Sequence, residues 1–124
     1  MNTRQQGARG ERLAEDYLAA LGMELITRNL RYPCGEVDLV MRDGEYTVFV
    51  EVKRRLGTRY GIGREAVNLA KRRRVSAVAL RYLRERGALG APARFDVVEI
   101  QGEAVTHLPN AFPYTPPARG RGLF

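Results

Sequence analysis

Few folds are open to a chain that reads Gly-Glu-Val-Asp-Leu-Val-Met-Arg-Asp-Gly-Glu-Tyr-Thr-Val-Phe-Val-Glu-Val-Lys from Gly35 to Lys53. Asp-Gly between two Val-rich runs is the strongest short-range signal for a β-hairpin. A two-residue turn at Asp43-Gly44 sets Arg42 opposite Glu45 and, further back, Glu36 opposite Glu51. Side chains alternate along a strand, so the two faces can be written down. Val37, Leu39, Met41, Val48, Val50 and Val52 share one face, which is apolar and must be buried. Glu36, Asp38, Phe49, Glu51 and Lys53 share the other. A slip of one residue would mix the two sets.

Three carboxylates then crowd one end of one face. At about 5 Å and an effective dielectric of about 20, each pair repels by roughly 3 kcal/mol. The repulsion vanishes if a divalent cation sits among the oxygens. Mg²⁺ and its like take carboxylate oxygens and keep waters for substrate phosphates. Glu36, Asp38 and Glu51 are therefore the candidate ligands of Mg²⁺ or Mn²⁺. Lys53 adds a positive charge at the rim.

The chain has 124 residues, enough for one domain with one core. An amphipathic helix is expected over residues 4–21, with Leu13, Ala14, Tyr17, Leu18 and Leu21 on its apolar stripe and Gly22 as its C-cap. Glu11 borders that stripe and reads as a surface acid from periodicity alone. Met23–Leu30 is a first strand and Arg31–Gly35 a loop into the hairpin. Arg54–Gly63 is a basic, Gly-rich loop with Tyr60, and Arg64–Ala70 a short helical turn. A long helix runs to about Arg86 and stops at Gly87, burying Val75, Val78, Ala79, Tyr82 and Leu83. Phe95–Ile100 and Ala104–Leu108 are two more strands joined at Gln101-Gly102, with Asp96 interrupting the first as a structural acid. This order gives an α/β fold: one domain over residues 1–112, a mixed sheet of about five strands flanked by helices. The step from the Glu51 strand to the Phe95 strand is a right-handed parallel crossover. Residues 113–124 form a Pro/Gly/Arg-rich tail, expected to be extended or disordered from Tyr114 on.

Net charge is +7, and residues 54–86 alone carry +9, from eleven Arg or Lys against Glu65 and Glu85. Such a stretch points to a polyanion, above all nucleic acid, or else to a solvated helix surface. Its candidate phosphate contacts are Arg54, Arg55, Arg59, Lys71, Arg72, Arg73 and Arg74. Four of these open the long helix, where cations are disfavoured by the macrodipole, so something outside the helix is expected to reward them. No apolar run is long enough to span a bilayer, and residues 1–10 lack the apolar core of a signal peptide. Cys34 is alone, which excludes an intramolecular disulfide and fits the cytoplasm. One histidine, His107, cannot make a His/Cys zinc site.

An acidic residue, an Asp, about a dozen residues and then Glu-x-Lys is the pattern of the PD-(D/E)xK nucleases, here Asp38 and Glu51-Val52-Lys53 with Glu11 on a preceding helix. Archaeal Holliday-junction resolvases have a similar layout. More of the chain resembles the YraN-like family of small bacterial proteins. The matching residues are Gly10-Glu11 with Ala14 and Tyr17-Leu18, Gly35–Leu39, Val48–Lys53, Glu65–Val67, Lys71 and Arg94–Val98. That family is uncharacterised, with an expected endonuclease-like fold. The resemblance implies a restriction-endonuclease-like architecture and a metal-dependent endonuclease acting on DNA, with branched or damaged structures among its candidate substrates. In that reading Asp38 and Glu51 bind the ion, Glu11 or Glu36 completes its shell, and Lys53 orients a water or stabilises charge on the phosphorane. Val37 stands where the archetype has Pro, which leaves Glu36 either a ligand or a hydrogen-bonding neighbour. The alternatives are a nucleic-acid-binding module that keeps the fold with little catalysis, and a structural partner in a larger DNA-processing complex. Oligomeric state is left open, a homodimer included.

Overall fold

The computed structural model describes residues 3–55 and 67–118. The chain runs α1 (Thr3–Ala20), β1 (Glu24–Tyr32), β2 (Gly35–Asp43), β3 (Tyr46–Arg55), α2 (Leu69–Glu85), β4 (Ala93–Gln101) and β5 (Ala104–Phe112). The strands make one sheet in sequence order. All neighbours are antiparallel except β3 and β4, which α2 connects in parallel. The result is a single α/β domain with a five-stranded mixed sheet and a helix on each face. It is compatible with the restriction-endonuclease-like fold that the resemblance implies.

α1 buries Ala14 and Leu18, with Leu13, against Leu39, Met41, Val48, Val50, Val98 and Ile100. The stripe is narrower than expected, for Tyr17 is 38% and Leu21 56% exposed. Leu21 lies past the end of the helix: Gly22 takes φ +99°, and Met23 N–H donates back to the Leu18 carbonyl at 3.1 Å. α2 packs on the other face. Asn68 caps it, its Oδ1 accepting from Lys71 N–H at 2.8 Å. The buried stripe is the expected Val75, Val78, Ala79, Tyr82 and Leu83, plus Ser76. It covers Val37, Val40, Phe49, Phe95 and Val97. A methyl on Gly35 would stand 3.3 Å from the Arg74 carbonyl oxygen, so β2 begins directly beneath α2.

Both hairpin turns lie one residue later than expected, at Gly44-Glu45 and Gly102-Glu103. Each glycine then occupies the first central position, at φ +61° and +62°. A left-handed conformation there costs a residue with a Cβ but not glycine. Arg42 consequently faces Thr47 rather than Glu45, and Glu36 is not opposite Glu51. Partner numbers move by two, so the faces survive, because side-chain direction repeats every second residue. Val37 is the exception. It joins Val40 and Phe49 under α2 instead of Leu39 and Met41 under α1. The face expected to be polar is buried too, for Phe49 is fully covered and Glu51 is 1% exposed.

β1 and β2 are longer than expected and leave only Pro33-Cys34 between them. Arg54 and Arg55 continue β3. The rest of the basic loop, and residues 64–66 of the expected helical turn, lie outside the described residues. Residues 113–118 carry neither helix nor strand, and Thr115 N–H is fastened to Ser76 Oγ on α2 at 2.9 Å. Among the described residues no helix is long and apolar enough to cross a membrane.

Candidate active site

Asp38 and Glu51 meet where the β2–β3 ladder stops. The last backbone pair is Leu39 with Val50, and beyond it Val52 N–H donates to Asp38 Oδ2 at 2.8 Å. Glu51 points to the α2 side. Its side chain is 2% exposed, and Lys71 Nζ stands 3.2 Å from Oε1. Lys71 and Asp38 both face this carboxyl group, but neither contact has full hydrogen-bond alignment. Burial, with the adjacent Asp38 carboxylate adding to it and Lys71 opposing, pushes the Glu51 carboxyl up to about 8. A buried carboxylate without well-aligned partners is costly unless a cation compensates it.

Glu11 reaches the same neighbourhood from α1. Burial and the negative charges of Asp38 and Glu36 raise its carboxyl above the usual range, against a hydrogen bond from Asn29. Glu36 has a partner of its own: Arg31 Nη2 donates to both its oxygens at 3.3 Å. Glu11, Glu36, Asn29 and Arg31 line a cleft of about 530 Å³ with Gly7 and Ala8. Asn29 went unnoticed in the sequence. It holds φ +51° within β1, and the only signal was its type, since Asn tolerates the left-handed region better than most residues. Among the described residues no three Asp, Glu, His or Cys side chains gather closely enough to hold an ion by themselves. The structure thus brings Asp38 and Glu51 together, sets Glu11 near Asp38 and Glu36, and pairs Glu36 with Arg31.

Lys53 lies two residues past Glu51, half-buried, and has no ion-pair partner among the described residues. Its register neighbour on β4 is Glu99, but Glu99 accepts from Arg55 Nε at 2.7 Å. The basic candidates fare differently from one another. Arg54 lays its stem along Gly10 of α1, where an added methyl would stand 3.2 Å from Cγ and Cδ. Arg59 lies outside the described residues. Lys71 turns to Glu51, and Arg72 Nε donates to the Val67 carbonyl at 2.9 Å with its guanidinium 5.5 Å from the Phe112 ring centre. For these two the reward at the helix start is intramolecular. Arg73 has a buried Nε without a hydrogen-bond partner, and Arg74 is exposed.

Asp96 is structural, as expected, and fully buried. Burial would raise its carboxyl, but hydrogen bonds from His107, Arg94 and Asn110 N–H, with the charge of Arg94, hold it below the usual range. The distances are 2.7 Å to His107 Nε2, 3.0 Å to Arg94 Nε and 2.9 Å to Asn110 N. Arg94 also reaches Asp43 at 2.9 Å, which ties the β2–β3 turn to β4.

The profile of the uncharacterised protein family UPF0102 matches residues 10–100. This is the YraN-like family that the sequence motifs resemble. A UPF0102 protein of Symbiobacterium thermophilum is 48% identical over 99 residues, covering 80% of this chain and 84% of its own. One from Rhodococcus jostii is 49% identical over 94 residues, 76% and 80% of the two chains. One from Desulfosudis oleivorans is 43% identical over 115 residues, 90% and 94% of the two.

Proposed function

We propose that this chain, which belongs to the uncharacterised protein family UPF0102, is a divalent-metal-dependent endonuclease acting on DNA. The observation that carries the reading is Glu51: a buried carboxyl group with no well-aligned hydrogen bond among the described residues, beside Asp38 and two residues before Lys53, which has no ion pair among the described residues. Two adjacent carboxylates fit a hard cation that keeps water and phosphate oxygens in its remaining positions. Asp38 and Glu51 would hold it. When bound, Mg²⁺ or Mn²⁺ supplies Lewis-acid polarisation of a phosphoryl oxygen and a water of lowered pKa. Asp38 is oriented by the Val52 N–H. Lys53 offers a positive charge to the phosphorane as negative charge builds on it. Glu11 borders Asp38 from the cleft side and is placed to accept a proton or hold a water. Arg73 and Arg74 continue the positive charge toward flanking phosphates.

Calorimetric titration with Mn²⁺ tests the metal. The parent should bind, and Asp38→Asn should lose at least the roughly 10–100-fold that even outer-shell changes cost. Equal binding by both proteins would place the ion elsewhere. The nucleic-acid side has its own check. Arg74→Ala should reduce the slope of log K against log salt by about 0.9 on duplex DNA. Arg72→Ala, whose guanidinium already has the Val67 carbonyl, should lower stability and leave the slope alone. One observation favours a second reading, a binding module without catalysis: Lys71 already supplies Glu51 with a counter-charge. DNA affinity in the absence of any Mn²⁺ binding would support that reading.

A further inference from the structure

We propose that Lys71 is a placeholder for the cation at Glu51: its ammonium stands against the buried carboxyl group in the metal-free protein and is expelled when the ion enters, which frees it for a phosphate. This rests on the metal reading above. The geometry is specific. Glu51 offers two buried oxygens without a well-aligned hydrogen bond among the described residues, and Lys71 Nζ stands 3.2 Å from one of them. The Lys71 side chain is 40% exposed, so its stem has open space to withdraw into. Its base is fixed, because its backbone N–H is held by the Asn68 cap. Only the four-carbon stem has to swing.

Residue type and position agree with this. The chain has nineteen arginines and two lysines, Lys53 and Lys71. A planar fork would bind the carboxylate in two places and hold on, whereas an ammonium is a point charge on a flexible stem. The first turn of α2 opposes a cation through the macrodipole. The ion pair with Glu51 is therefore what keeps Lys71 turned inward. A divalent ion and an ammonium on one carboxylate repel, so occupancy is exclusive. Metal entry and the release of a phosphate-binding charge become one event.

The test uses both lysines as reporters. The full chain is reacted with an amine-selective acylating reagent, with and without saturating Mn²⁺, and each site is read by peptide mass mapping against the α-amino group. Lys71 labelling should rise several-fold with Mn²⁺. In parallel, Lys71→Met should bind Mn²⁺ about tenfold tighter than the parent, as expected when a competing charge is removed. Arg84→Met, exposed in the last turn of α2, should bind like the parent. A Lys71→Met protein that binds Mn²⁺ where the parent does not also supports the proposal. Unchanged Lys71 labelling in the Mn²⁺-saturated parent overturns it and leaves the metal site standing, as does a Lys71→Met affinity no tighter than the parent's. If neither protein binds Mn²⁺, the metal reading itself has failed and the placeholder falls with it.

Discussion

Glu51→Gln is expected to melt higher than the parent at pH 9 in the absence of metal, and to lose any response to Mg²⁺. The parent holds a carboxyl whose folded value is pushed up to about 8 by burial and by Asp38. A raised folded value means the folded state holds the proton more tightly than the unfolded one. Full stability is present below about 4.5, where the carboxyl is neutral in both states. It is lost progressively as pH rises toward 8. At about 1.4 kcal/mol per pKa unit the loss reaches a few kcal/mol, or several degrees in melting temperature for a domain of this size. Gln has no charge to desolvate and nearly the same shape. Lys71, partly exposed, can turn to water once its partner is neutral. Melts in EDTA at pH 4.5 and pH 9 check this. The two proteins should coincide at the lower pH and separate at the higher. A Gln variant that melts lower at pH 9 would mean that the Lys71 pair outweighs burial.

Lys53→Arg is expected to reduce DNA cleavage by about 10²–10³, the usual cost of one transition-state contact, with DNA affinity in Ca²⁺ nearly unchanged. In a chain with nineteen arginines and two lysines, a lysine marks a place where charge alone does not suffice. Arginine keeps the charge but brings a larger fork that does not deprotonate. Lys53 is half-buried beside Glu51 and has no ion pair among the described residues to absorb the change. Single-turnover rates on one DNA, parent against variant, decide the matter. Parental cleavage by Lys53→Arg would remove Lys53 from the chemistry.

Much of this was legible in the sequence because the relevant signals are periodic. The buried stripe of α2 follows from the spacing of Val75, Val78, Ala79, Tyr82 and Leu83. The α1-facing side of the hairpin follows from alternation at Leu39, Met41, Val48 and Val50. Turn position was not legible to one residue, because Asp-Gly and Gly-Glu both offer a glycine and only the backbone shows which central position it fills. The face of Val37 was not legible either, since the ladder gives way at Asp38, where the carboxylate takes a backbone N–H. The Asp38–Glu51 pairing was foreseen as chemistry, but its partners were not. Arg31 claims Glu36, Lys71 claims Glu51, and Asn29 supports Glu11. All three are contacts between elements, which no local pattern announces.

The most direct test of a metal-dependent nuclease is single-turnover cleavage of a panel of duplex, single-stranded, flap and four-way DNAs in Mg²⁺ or Mn²⁺, run with the parent and with Glu51→Ala. The expected result is metal-dependent cleavage of at least one DNA by the parent and none by Glu51→Ala. Cleavage at equal rates by both proteins, or a parent that binds these DNAs and cuts none of them, would contradict it.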